Sequence, residues 1–69
     1  MDKKLPNKFT EKLYSFGEWN YGVNKITVIL DDGTKIHDVK VSGLEILKVG
    51  YSKKVNFDPG RIIDIIDET

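Results

Sequence analysis

The stretch NKITVILDDGTKIHDVKV, residues 24 to 41, constrains the fold more than any other part of the chain. Ile26, Val28 and Leu30 alternate with Lys25, Thr27 and Ile29, and Asp32-Gly33 then offers the positive φ that a tight hairpin turn needs. A two-residue turn at that dipeptide pairs Leu30 with Lys35, Ile29 with Ile36, Val28 with His37 and Ile26 with Val39. Cross-strand partners share a face. The core face is therefore expected to hold Ile26, Val28, Leu30, His37, Val39 and Val41, with an Ile29 and Ile36 pair left on the other side. A longer loop with a bulge would instead bring Ile36 inward.

After Ser42-Gly43 comes LEILKVGY, in which Leu44 and Ile46 share one parity while Leu47, Val49 and Tyr51 share the other. The break predicts a bend between Ile46 and Leu47. Gly50 to Ser52 turn the chain into KKVNF, a further strand with Val55 and Phe57 inward, and Asp58-Pro59-Gly60 stops it. RIIDIID carries isoleucine on both parities, which predicts a last strand covered on both sides. Earlier in the chain, Phe9, Leu13 and Phe16 have helical spacing, yet Tyr14, Phe16, Trp19 and Tyr21 are residues that strands favour. A strand from Glu11 to Trp19 is the expectation, with a short helix as its alternative.

A chain of 69 residues makes one small domain. Pro6-Asn7 divides a flexible N-terminal segment, residues 1 to 10, from a folded body, residues 11 to 69. The expected fold class is all-β: five to six short antiparallel strands in a small SH3-like barrel or half-barrel, since closure removes exposed sheet edges.

Composition excludes more than it suggests. With no cysteine and one histidine, disulfides, thiolate zinc sites and multi-histidine centres are ruled out. Eleven basic and eleven acidic residues leave no net field to draw the molecule toward nucleic acid or an anionic membrane. No apolar run is long enough to span a bilayer and no leader pattern is visible, so the cytoplasm is the expected location. DDGTKIHDVKVS lacks the ligand spacing of a calcium loop, and phosphate-loop, nucleophile-elbow and zinc-protease motifs are missing. His37 and Asp38 are sequence neighbours, which on a strand point to opposite faces. Asp58, Asp64 and Asp67 read as solvated carboxylates. The chain is expected to be no enzyme and to need no cofactor.

ITVILDDGTKIHDVKV resembles the first hairpin of Sm-like barrels, although Asp38 stands where that pattern has a second glycine and its later motifs are missing. The resemblance covers that hairpin alone and transfers no functional residue.

Two binding functions remain. The first expectation is a protein contact or self-association through Ile29, Ile36 and Tyr21, because exposed apolar patches on small proteins mark contact sites. The other is a nucleic-acid contact through Tyr51, Lys53 and Lys54, in which bases stack on aromatics along a basic groove. A lone arginine, Arg61, weighs against it. Trp19, the only tryptophan, is expected in the core, with Tyr21 the more exposed of the two.

Overall fold

The computed structural model describes residues 3–69. Four antiparallel strands form one sheet: β1 (Val23–Leu30), β2 (Lys35–Ser42), β3 (Glu45–Val49) and β4 (Ile62–Asp67), in the order β3-β2-β1-β4. A 3₁₀ turn, Asn7–Phe9, runs into a one-turn helix, α1 (Thr10–Tyr14), and a second 3₁₀ turn, Pro59–Arg61, precedes β4. The fold is mostly β, but the sheet has four strands and is open, so the expected five or six strands and barrel closure are not found among the described residues. The apolar face is covered from outside the sheet. Leu5, Phe9 and Leu13 lie against Ile26, Val28, Leu30, Val39, Val41, Ile46, Phe57, Ile62 and Ile65, all buried. A chain that lays its own N-terminal segment over the sheet has no need to curl the sheet onto itself.

That covering corrects two expectations. Of the segment expected to be flexible, residues 1 and 2 lie outside the described residues, and residues 3 to 10 pack on the sheet: Leu5 is 2% exposed, its N–H donates to the Leu44 carbonyl, and the Ile46 N–H donates to the Lys3 carbonyl, which pairs this segment with the outer edge of β3. Nor do residues 11 to 19 form a strand. Phe9 and Leu13, four apart, both turn into the core only if the backbone is helical, and the Thr10 and Ser15 hydroxyls donate to the carbonyls of Asn7 and Lys12 at the two ends. Burying that pair outweighs the strand preference of the aromatic side chains, and Tyr14 is left exposed.

The hairpin holds one surprise of register. Gly33, at φ 87°, donates to the Leu30 carbonyl while the Leu30 N–H donates to Thr34, so the loop is three residues, Asp31 to Gly33. Val28 therefore faces Ile36, and Ile29 faces Lys35. Farther from the loop a bulge sets His37 and Asp38 together opposite Thr27, and from Ile26↔Val39 onward the pairs are those a two-residue turn would give. One extra residue in the loop and one in the bulge cancel. The expected Ile29 and Ile36 pair therefore does not exist. Ile36 packs on the core, Ile29 lies half-buried on the other side, and His37 is exposed rather than inward. Asp38 takes the strain of the bulge at φ 58°. It does so at the position where the hairpin departs from the Sm-like pattern in having no glycine.

The parity break in β3 is also a bulge: Val41 faces Ile46 and Lys40 faces Lys48, leaving Leu47 as the extra residue. KKVNF is no strand; its backbone is irregular, yet Phe57 is buried and Val55 packs against the core. In β4, Ile62 and Ile65 are buried while Ile63 and Ile66 are exposed, so this strand is covered on one side only. Arg61 closes the end of the hairpin, its guanidinium bridging Asp31 at 2.9 Å and Asp32 at 3.2 Å. No helix among the described residues is long and apolar enough to cross a membrane.

Candidate functional site

Among the described residues no second layer covers the face of the sheet opposite the core, and the most shaped region of that face lies where β1 begins. Asn20 to Val23 form a tight turn in which the Trp19 and Asn20 N–H groups both donate to the Val23 carbonyl and Val23 donates back to Asn20. Gly22, at φ 72°, makes that reversal possible. The turn folds Trp19 back over the start of β1, beside Leu47, which the β3 bulge has pushed out of the alternation. Together with Val23, Lys40, Lys48 and Lys53 they line an open groove of about 390 Å3.

Lys40 organises the floor. Its Nζ is 3.0 Å from Asp38 Oδ1 and donates to the Gly50 carbonyl at 3.1 Å. It also stands 5.5 Å from the centre of the Trp19 ring and 5.9 Å from that of Tyr51, within the range of cation–π attraction. Lys25 adds a second ammonium 3.8 Å from Asp38 Oδ1. The Lys40 hydrogen bond and the two ammonium charges hold the Asp38 carboxyl below its ordinary range. The bulge thus turns Asp38 out to pair with Lys40, and Lys40 stands against both aromatic rings. Glu68 completes the support, accepting from the Thr27 hydroxyl and from the Asp38 N–H at 2.9 Å. The exposed His37 ring lies 2.9 Å from the same Thr27 hydroxyl.

Lys48 and Lys53 differ from Lys40. Neither has a carboxylate within ion-pair distance among the described residues, so the rim of the groove carries two uncompensated positive charges. Arg61, by contrast, is committed to Asp31 and Asp32, and Lys12 to Asp64 at 2.5 Å.

The residues expected to form sites fare unequally. Lys53 lies on the groove rim, and Tyr51 is fully exposed, with its ring against Lys40, which lines the groove. Lys54 is exposed, with its backbone N–H donating to the Ser52 hydroxyl. Tyr21 is 97% exposed at the tip of the turn. Ile29 and Ile36 are not brought together. Trp19, expected in the core, is 48% exposed and is a groove residue, because α1 and Leu5 already fill the space above the sheet. Sequence reasoning missed Val23, Lys40, Leu47 and Lys48 as lining. The one available signal was Leu47, the residue at which the alternation breaks.

Histidine, aspartate and glutamate do not gather in threes to hold a metal ion among the described residues. No protein-family profile matches the chain, and no curated protein or solved structure matches it either.

Proposed function

We propose that this protein is a non-catalytic binding module that holds another protein on the uncovered face of its sheet, at the groove between Trp19 and Leu47. The observation that carries the reading is the support under the groove: a strained bulge and an ion pair place an ammonium against the ring of a half-exposed tryptophan. Half-exposed aromatics held rigid at the centre of an apolar depression are what protein contacts use as anchors. The cytoplasm is the setting this reading assumes. Affinity capture from the native host with the wild-type chain, Trp19→Ala and Leu47→Asp tests it. Partners retained by the wild type and lost by both variants are expected, with circular dichroism showing each variant folded. Capture of the same set by all three would overturn it.

A second reading, a single-stranded nucleic-acid contact, is supported by Tyr51, whose fully exposed ring lies 5.9 Å from the Lys40 ammonium and two residues before Lys53 in the chain. Bases would stack on Tyr51 while Lys53 and Lys54 meet phosphates, and binding would fall steeply with salt. A titration with labelled RNA and DNA at low salt tests it, and no binding there would discard it.

A further inference from the structure

We infer that the groove takes a short acidic segment of its partner, one that places a single large apolar side chain between flanking carboxylates. The inference rests on the binding-module reading and adds the chemistry of the occupant. The groove wall is apolar through Trp19, Val23 and Leu47, and its volume of about 390 Å3 lies at the small end of ligand sites, room for one bulky side chain rather than a folded surface. Among the described residues, no aspartate or glutamate lines it. Lys48 and Lys53 at its rim pair with no carboxylate among the described residues, so carboxylates on either side of the anchor would meet opposite charge there.

The same features favour a peptide over a nucleic-acid strand. A base needs an open ring face and hydrogen-bonding partners. The Lys40 ammonium already stands over the Trp19 ring, and that ammonium is engaged with Asp38 and the Gly50 carbonyl. The only arginine is spent on the hairpin loop. Lys48, Lys53 and Lys54 would neutralise about three phosphates, too few to hold a strand firmly at physiological salt.

Trp19 is the only tryptophan, so its fluorescence reports from inside the proposed site. The probes are an end-blocked peptide with a central phenylalanine and two glutamates on each side, its alanine-centred form, its lysine-flanked form, and a short oligothymidylate. None of them contains tryptophan. The phenylalanine peptide is expected to shift Trp19 emission to saturation, and affinity should fall at least about tenfold with the alanine centre, with lysine flanks, and in the Lys48→Glu/Lys53→Glu double variant. Both lysines are exposed, so that variant should melt with the wild type. No saturable change up to millimolar peptide, equal binding of the lysine-flanked form, or tighter binding of the oligothymidylate through the same lysines would each overturn the inference. Failure here with Trp19-dependent partner capture intact would remove the acidic peptide and leave the module. Loss of both would remove the module.

Discussion

Deleting His37 should leave the protein folded, whereas deleting Lys40, three residues along the same strand, should not. His37 is the surplus residue of the β2 bulge. Ile36 and Val39 both face the core, with two residues between them where regular alternation has one. Removing His37 restores that alternation and leaves Asp38 opposite Thr27, within reach of Lys25 and Lys40. What is lost is one hydrogen bond to the Thr27 hydroxyl, about 1 kcal/mol, and at most the Asp38 N–H bond to Glu68, about 1.5 to 3 kcal/mol for a charged acceptor. What is relieved is a left-handed backbone position, about 1 to 2 kcal/mol for a residue with a side chain. The net cost is about 1 to 2 kcal/mol. Deleting Lys40 turns Val41 to the open face, at about 1.5 to 3 kcal/mol, drives Ser42 inward and breaks the pairing with Ile46. Those losses together approach the total stability of a small domain, about 5 kcal/mol. Thermal melts followed by circular dichroism should show a cooperative transition lowered by roughly 5 to 15 °C for the first deletion and none for the second. Equal damage from both would refute the bulge argument.

Three further outcomes follow from the same packing. Trp19→Ala should cost about 1 to 2 kcal/mol in urea unfolding, since half of the ring is already in water, against about 3 to 5 kcal/mol for Phe9→Ala; equal costs would mean that Trp19 is core. Leu5→Ala should cost about 2 to 4 kcal/mol by the same measurement, whereas a frayed end would show almost nothing. Asp32, Asp38, Asp64 and Asp67 titrate below their ordinary range, through Thr34, Lys40, Lys12 and Thr69 respectively, so each binds its proton less readily folded than unfolded. Their contribution is present above about pH 4 and is lost as pH falls through the lowered values, so melting temperatures measured from pH 7 down to 2 should hold level and then drop, with a smaller drop in Lys12→Met.

How much of this was legible in the sequence depends on how far each choice is local. Ile26, Val28, Leu30, Val39 and Val41 announce themselves by alternation, and all five are core. Asp31-Asp32-Gly33 can close either a two-residue or a three-residue loop, and the decision rests on Asp38 tolerating φ 58°, which hydrophobic alternation does not encode. The pair Ile26↔Val39 comes out right in either case because the two offsets cancel. At the N-terminal end the helix is one turn long, too short for periodicity to outvote strand-favouring aromatics, and only the packing of Phe9 and Leu13 decides it. Val55 and Phe57 point inward as read, but without the ladder of a strand. The groove was the least legible feature, being assembled from a turn, two bulges and a lysine whose partners lie far apart in the chain.

The order of strands also sets an order of events. β1, β2 and β3 follow one another through short connections and can zip together as soon as residues 23 to 49 are available. β1 is a central strand, however, and its second neighbour is β4, whose partners lie more than thirty residues farther along. Until residues 62 to 67 arrive, the most buried strand of the protein displays a full row of unpaired backbone groups, and Thr27 lacks the carboxylate of Glu68. A state paired only through β2 and β3 lasts until β4 docks beside β1. It is the stage at which the chain is most open to pairing with the wrong strand, including one from a neighbouring nascent copy.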